Sequence, residues 1–342
     1  MIECLYDHVI SDSTVEGTIP FNAIKCLYDL VAAFAPTAME KEVAECIVHQ
    51  IENLNFPCKT RIDSLGNLTI EPLSNSAPKI MLAAPIDQCS FPIIAAPNAN
   101  QVRFAILGNV QPQDLPGNTV RFSNGAEGII RVSDNSVSSV NRSDELLISL
   151  TEKSPFPQPG DRAILTGPFS VQKGVLSAPA MEGRLASWVF LSLMGKESIK
   201  KQEVLFAFCA HGVGGGRGCQ VIAQTKQPQI AIGLDIEPIA STSPIHMGNG
   251  PVLRWRDENT ISHPGLVRLA VKTAKEENIP LQISPISLGK ANISGVHASG
   301  TNCAVLSLSI PVQKAYTPQA FCSLEDCHFA SCLLEKIIDR LL

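Results

Sequence analysis

The chain has 342 residues, a formal net charge of −5 and 45% hydrophobic residues, which allows one large globular domain or two moderate ones. The acidic balance and an aromatic content of only 5% exclude general nucleic-acid binding, which needs a basic surface and stacking side chains. No apolar run reaches membrane-spanning length and no basic-then-apolar leader pattern begins the sequence, so we expect a cytoplasmic protein that does not bind membranes. The 11 cysteines include no C-x-x-C pair, which favours buried free thiols.

The first part of the chain alternates between helical and strand patterns. Apolar residues at three- and four-residue spacing predict two helices between residues 21 and 55, and Thr37 with Glu40 suggests a capping box before the second. The apolar run 79–84 predicts a buried strand. Asp87 follows the end of that strand, where an acid usually points into a site at the edge of a sheet.

The residue pattern of the sequence changes near residue 93. From there to residue 176, short β-type runs alternate with Gly, Pro and Asn turn signals, and no helical period is present. This pattern predicts an all-β insert, a barrel or a sandwich, within a discontinuous α/β domain formed by residues 1–92 and 177–342.

Helices and strands alternate again in the last part of the chain, which predicts a largely parallel sheet with helices on both faces. Continuous apolar runs favour strands that are buried on both faces. The predicted elements are a helix at 185–194, strands at 204–209 and 230–235, a helix at 264–277, a strand at 304–310 and a closing helix at 324–342.

Several short motifs carry a family resemblance. They are D-x-L-G-N at 63–67, P-G-D at 159–161, M-G-N-G-P at 247–251 and I-P-L-Q at 279–282. Each motif is weak alone, but their order and spacing resemble the tetrahedral, or glutamyl, aminopeptidases, a family of dinuclear metallopeptidases. The resemblance implies a zinc-peptidase-type α/β/α sandwich with an inserted barrel-like β domain. It also implies a homo-oligomer, a dimer or larger, that assembles through the β insert.

The family's metal ligands correspond to positions that are mostly changed here. The His of the family motif A-H-x-D-E is Pro85, the ligand of E-E-V-G is Gly212, and a further His is Tyr316. The resemblance leaves two remnant ligands, Glu182 in place of the bridging Asp and Asp235 at a strand end. We therefore expect no stable dinuclear centre and no cofactor, with zinc or cobalt as the metal if any activity remains.

Two further positions correspond to catalytic residues of the family. Asp87 matches the acid that orients the first His ligand, and His211 replaces the Glu general base. The family's G-G-T-D loop is Gly289-Lys290-Ala291-Asn292 here, so its acid is lost, and Lys290 would repel a cation.

Three functions remain open from the sequence. The first is a catalytically silent peptidase relative that acts by binding, with a peptide as one candidate ligand, or by assembly. The second is a divergent hydrolase with a mononuclear metal site rebuilt around Glu182, His211 and Asp235, with Asp87 and Glu237 nearby. The third is nucleotide or phosphate binding through the glycine-rich segment Gly212–Gly218.

Overall fold

The computed structural model describes residues 21–73, 78–133, 139–151, 155–287 and 289–342. The strands are β1 (Cys58–Ile62), β2 (Leu68–Pro72), β3 (Ile80–Pro85), β4 (Phe91–Asn98), β5 (Gln101–Phe104), β6 (Thr119–Phe122), β7 (Glu127–Val132), β8 (Leu146–Leu150), β9 (Arg162–Leu165), β10 (Ser170–Gln172), β11 (Val175–Ala178), β12 (Val204–Cys209), β13 (Ile230–Pro238), β14 (Val252–Arg254), β15 (Gln282–Ser284), β16 (Ala304–Val312) and β17 (Ala320–Ser323). The helices are α1 (Phe21–Ala32), α2 (Lys41–Asn53), α3 (Leu185–Met194), α4 (Glu197–Lys200), α5 (Arg217–Lys226), α6 (Pro264–Glu276), α7 (Ser294–Ala298) and α8 (Leu324–Leu341).

A mixed eight-stranded sheet forms the body of the protein, in the order β1-β2-β12-β3-β13-β16-β14-β15. The central strands β12, β3, β13 and β16 are parallel. Both β3 and β12 are buried along their whole length, as expected for parallel strands covered by helices. The register pairs Cys209 with Pro85, so β12 and β3 end at the same edge, and the residues that come after them meet there.

The two faces of the sheet have separate hydrophobic cores. Successive side chains of a strand face opposite sides, so Leu82 and Ala84 of β3 pack in one core while Met81 and Ala83 pack in the other. Apolar residues of α1, α2, α3, α6 and α8 contribute to the first core, and residues of α5 and α7 contribute to the second. The predicted α/β/α sandwich is confirmed.

A closed barrel of six strands, in the order β4-β5-β8-β7-β6-β9, interrupts the body and has a hydrophobic core of its own. The predicted barrel-like sheet is therefore present, and its strands run from Phe91 to Leu165. Strands β10 and β11, which extend over the predicted end of the insert, form a three-stranded sheet with β17 instead. The division of the chain into domains at residues 93 and 176 stays a prediction.

The predicted capping box before α2 is wrong. Glu40 is the residue that precedes the helix, and no side chain caps it. The hydroxyl of Thr37 donates to Asp87 Oδ2 at 2.7 Å, and Glu40 Oε1 accepts the N–H groups of Ala38 and His211. Thr37 and Glu40 therefore form tertiary hydrogen bonds with Asp87 and His211 instead of the predicted capping box.

Within the described part of the chain, the structure contains no helix that is long and apolar enough to cross a membrane.

Arg184 is a fully buried guanidinium that joins three segments of the chain. It donates to the carbonyl of Leu30 at 2.7 Å, to the carbonyl of Ile86 at 2.6 Å and to the side-chain oxygen of Gln88. Burial lowers the pKa of Arg184 to about 10, against the raising effect of nearby Glu182 and Asp87. The group stays charged at neutral pH and holds α1, the end of β3 and the start of α3 together.

We expect the substitution Arg184→Met to lower the free energy of unfolding by about 3 kcal/mol or more, because it leaves several buried acceptors without a donor. The exposed Arg142, which pairs with Asp144, provides the control Arg142→Met, expected to change stability by less than about 0.5 kcal/mol. Urea unfolding followed by circular dichroism measures both values. Equal stability of the two variants would contradict the role given to Arg184.

Candidate functional site

A cleft of about 380 Å³ opens at the edge of the sheet where β3 and β12 end. Asp235, which was predicted at a strand end, lies within β13, because that strand continues to Pro238. Six of the positions that the sequence assigned to a metal or catalytic site line the cleft: Pro85, Asp87, Glu182, Gly212, Asp235 and Tyr316. The structure therefore brings together residues from five separate parts of the chain. His211 is not among the lining residues.

Gly212 lies closer to its neighbours than any residue with a side chain could. A Cβ atom at this position would be 2.7 Å from Pro85 Cβ, 2.7 Å from Asp87 Oδ1 and 3.3 Å from Asn292 Oδ1. Non-bonded carbon atoms rest at about 3.5–4.0 Å. The position has neither a donor atom of its own nor the space to add one without movement of the backbone.

Asp87 is fully buried and accepts three hydrogen bonds. The Thr37 hydroxyl and the Val213 N–H donate to Oδ2 at 2.7 and 3.0 Å, and the Gly212 N–H donates to Oδ1 at 2.9 Å. Burial raises the pKa of Asp87 to about 7, although these hydrogen bonds lower it. The carboxyl group of Asp87 holds the backbone at residues 212–213 in place. It has no metal-binding imidazole to orient, because residue 85 is a proline.

His211 is held beside the cleft by its backbone. Its φ of 54° lies in the left-handed region, and its N–H donates to Glu40 Oε1 at 3.0 Å. The side chain is half-buried and does not line the cleft with Glu182 and Asp235. The predicted grouping of these three residues around one metal ion is therefore not formed in the structure.

The two carboxylates that the family resemblance assigns to metal binding both accept hydrogen bonds from the backbone. Glu182 is buried, and its Oε1 accepts the N–H of Cys89 at 3.0 Å. Asp235 accepts the N–H of Ile236 at 2.8 Å on Oδ1 and that of Asn292 at 3.1 Å on Oδ2. Burial raises the pKa of Asp235, and Arg254 opposes this effect. Each carboxylate has acceptor capacity beyond these hydrogen bonds, because an ionised carboxylate has about four lone-pair sites.

Glu237 takes part in a buried ion pair away from the cleft. Its Oε2 forms a buried ion pair with Arg254 at 2.5 Å and also accepts the hydroxyls of Ser287 and Ser309, each at 3.2 Å. It does not line the cleft. Sequence spacing alone could not separate this structural acid from Asp235, two positions earlier on the same strand.

Tyr316 connects the cleft to the barrel. Its ring packs against the core of the body and against the core of the barrel, and its hydroxyl accepts a hydrogen bond from Asn109 Nδ2 at 3.3 Å. Burial raises the pKa of this phenol, and Asp235, Cys89 and Glu182 raise it further. The phenol therefore remains protonated at neutral pH and is a poor metal ligand.

The residues present do not fit a dinuclear metal centre. Among the described residues, no group of three or more His, Cys, Asp or Glu side chains is arranged to hold a metal ion. Zinc sites use three or four protein ligands. Cys89 lines the cleft, but burial and the neighbouring Glu182 raise its pKa well above the usual range, which keeps the thiol protonated and unreactive.

The glycine-rich segment 212–218 has few free donors for a phosphate. The N–H groups of residues 212, 213, 215, 216 and 218 all donate to oxygens of the protein. Two of these hydrogen bonds end on the carboxyl group of Asp87, whose negative charge, when present, would repel an anion. The geometry does not favour the nucleotide-binding alternative.

Asn292 is the site residue that sequence reasoning described only as a lost acid. It lines the cleft and is 3% exposed. Neither its side-chain oxygen nor its side-chain nitrogen has a hydrogen-bond partner. No sequence signal separates such an amide from an ordinary loop asparagine, since the distinction lies in the residues that surround it.

The chain matches known proteins over most of its length. A family model described as M42 glutamyl aminopeptidase matches residues 66–333. A protein of Acetivibrio thermocellus, provisionally named an aminopeptidase, is 26% identical over 327 residues, which cover 91% of this chain and 98% of that protein. A lysyl aminopeptidase of Pyrococcus furiosus is 24% identical over 278 residues, which cover 74% of this chain and 79% of that enzyme.

Solved structures show the same fold. The TET aminopeptidase of Thaumarchaeota archaeon SCGC AB-539-E09 superposes with a TM-score of 0.87 at 24% identity, covering 94% of this chain and 96% of that one. The TET1 peptidase of Pyrococcus horikoshii, described as assembling into a tetrahedron or a large octahedral shell, superposes with a TM-score of 0.79 at 22% identity, covering 92% and 99%. On the strength of the family match, the chain belongs to the M42 glutamyl aminopeptidases.

Proposed function

We propose that this protein is a member of the aminopeptidase family without peptidase activity, which acts by binding a ligand in its cleft and by assembly into a homo-oligomer. The observation that supports this best is the close approach of Gly212 to Pro85 and Asp87. Hydrolysis in the family depends on a metal pair that activates water. A cleft in which two ligand positions lack donor atoms and a third is a protonated phenol provides no comparable activation.

The environment of Gly212 supports a change in the position of the backbone in addition to the loss of one ligand side chain. In the family, positions 85 and 212 both have side chains, so their backbones must leave room for two Cβ atoms. Here the backbone of Gly212 lies against the proline ring, and Asp87 fixes it there through the N–H groups of residues 212 and 213. A single substitution would not restore the ligand shell.

A second close approach occurs at the backbone of Asp87. A Cβ at Gly183, where the family motif A-L-D-D-R has an aspartate, would be 2.2 Å from the carbonyl oxygen of Asp87. The segment that contains Glu182 therefore lies closer to the end of β3 than an aspartate at position 183 would allow. The two close contacts together support a cleft whose backbone lies differently from that of the family, in addition to the loss of ligand side chains.

The cleft itself supports a binding role. Its volume of about 380 Å³ lies within the range of small-molecule sites, about 300–1,000 Å³. Two related structures support the proposal that this chain also forms a homo-oligomer: the PhTET1-12s dodecamer and the TET1 peptidase of Pyrococcus horikoshii, which can assemble into a tetrahedron or a large octahedral shell.

We expect no hydrolysis of amino-acid p-nitroanilides by the purified protein, with or without added zinc, cobalt or manganese, because the cleft cannot hold a pair of ions. Elemental analysis of the same samples should find less than one transition-metal ion per chain. Robust turnover that is abolished by Glu182→Gln would overturn the proposal. One tightly bound ion per chain would instead support the mononuclear alternative.

The packing at Gly212 is tested by comparing two glycines of one loop. Gly212→Ala should lower the free energy of unfolding by about 1–3 kcal/mol, because its methyl group overlaps Pro85 and Asp87. Gly214→Ala is the matched control, since its nearest contact would be an ordinary 3.4 Å and its effect should stay within about 0.5 kcal/mol.

A double-mutant cycle with Pro85→Gly then isolates the contact at Gly212. A favourable coupling of about 0.5 kcal/mol or more is expected, because the proline Cβ is removed. If Gly212→Ala were as stable as the wild type, the close approach would not constrain the site.

Assembly through the barrel is tested by light scattering of the full chain after size exclusion. The mass should be a multiple of 36.7 kDa. Ile94 on barrel strand β4 is 59% exposed, and Ile94→Glu should reduce the mass by placing a charge in an apolar contact. Ile261→Glu, at a body residue 67% exposed, is the control and should leave it unchanged. A monomeric wild type would contradict the assembly proposal.

A further inference from the structure

A cluster of one nucleophilic and two basic side chains lies on and beside helix α8. Cys332 is half-buried in the middle of this helix, and its Sγ is 3.5 Å from Nε2 of His328, one helical turn earlier. The ammonium of Lys196, the residue that precedes α4, donates to the same sulfur at 4.0 Å. None of the three residues lines the cleft, so the cluster is separate from the site described above.

The ammonium of Lys196 is held beside the sulfur by an ion pair. Its Nζ is 2.7 Å from Oε2 of Glu335, and both side chains are partly buried. The hydroxyl of Ser198 donates to Oε1 of the same carboxylate. Although burial raises it, the hydrogen bonds from Lys196 and Ser198 lower the pKa of Glu335, so this carboxylate stays ionised and keeps Lys196 in place.

The two neighbours of Cys332 provide what a reactive thiol needs. A thiol reacts as its thiolate, and reactive cysteines lie in partly exposed surroundings of positive charge. With Nε2 unprotonated, the imidazole of His328 accepts the thiol proton, as the base does in a Cys–His pair. The ammonium of Lys196 stabilises the negative sulfur that results.

The other nine described cysteines are less suited to this chemistry. Burial raises the pKa of half-buried Cys46 and Cys303 to about 11 and also raises that of Cys58, which keeps these thiols protonated at neutral pH. Buried thiols are inert because reagents do not reach them. Six cysteines are of this kind: Cys26, Cys89, Cys209, Cys219, Cys322 and Cys327.

We propose that Cys332 is a modification site for small disulfides, which convert it into a mixed disulfide. The Cys332 thiolate attacks one sulfur of R–S–S–R, a new S–S bond forms, the old one breaks and R–S⁻ leaves. The proton passes from Cys332 to His328 and then to the leaving thiolate, which gives R–SH. The small disulfide is reduced as the protein thiol is oxidised. The site does not depend on the proposed function, because none of its residues lines the cleft.

The test follows the reaction of the reduced, full-length protein with 2-hydroxyethyl disulfide at neutral pH. Samples are quenched with acid and digested, and mass spectrometry with fragmentation measures each cysteine separately, including Cys4, which lies outside the described residues. We expect Cys332 to react at least about tenfold faster than Cys46, Cys58 and Cys303. Unfolding in urea should abolish this difference, because it separates the sulfur from its two neighbours.

Variants separate the contributions of the two neighbours. His328→Gln removes the proton acceptor and Lys196→Gln removes the positive charge, and each should slow the reaction of Cys332 by about threefold or more. The matched controls are His49→Gln, at an exposed histidine of α2, and Lys272→Gln, at an exposed lysine of α6. Both controls should keep the rate at Cys332 within about twofold of the wild type, since charges at a distance are screened.

The same mass spectra show whether each variant keeps its fold, because fully buried Cys219 should stay unmodified in all of them. Equal rates at Cys332 and at the other half-buried cysteines of the folded protein would overturn the proposal. An unchanged rate at Cys332 in His328→Gln would overturn it as well. An unchanged rate in Lys196→Gln would contradict the effect given to the ammonium.

Discussion

The contact between Gly212 and the end of β3 governs the rest of the site. The parallel register of β12 and β3 brings Cys209 beside Pro85, and the chain then passes so close to the proline ring that only glycine fits. Asp87 fastens this arrangement through its hydrogen bonds to the backbone at residues 212 and 213. The family resemblance assigns Asp87 to the orientation of a metal ligand, but here its carboxyl group binds the backbone of the loop at residues 212 and 213.

The other parts of the cleft are consistent with this constraint. Glu182 accepts a backbone N–H, and Tyr316 is engaged in packing between body and barrel rather than in coordination. Among the described residues, no group of three or more His, Cys, Asp or Glu side chains is arranged to hold a metal ion, whereas zinc sites use three or four protein ligands.

Sequence reasoning predicted the sheet and its helices well, because continuous apolar runs and helical spacing directly reflect burial. The strand 204–209 and the helix 185–194 have the predicted bounds. The barrel was also predictable, since turn signals divide its strands. The pairing of β10 and β11 with β17 was not predictable, because it joins residues far apart in the chain.

The site was predictable in position but not in detail. The family resemblance placed Asp87, Glu182 and Asp235 in one site, whereas the direction of each side chain depends on tertiary contacts. Glu40 illustrates this: a local pattern suggested a helix cap, while its carboxylate in fact holds the backbone of His211. Asn292 could not be recognised, since its unpaired amide is defined only by the burial around it.

The most direct test of the account is anomalous diffraction from crystals soaked in zinc. The account predicts no ion within the cleft formed by residues 85, 182, 212, 235 and 316, and an unmoved Gly212 against Pro85. Two anomalous peaks a few ångströms apart, joined by the carboxylate of Glu182, would contradict it.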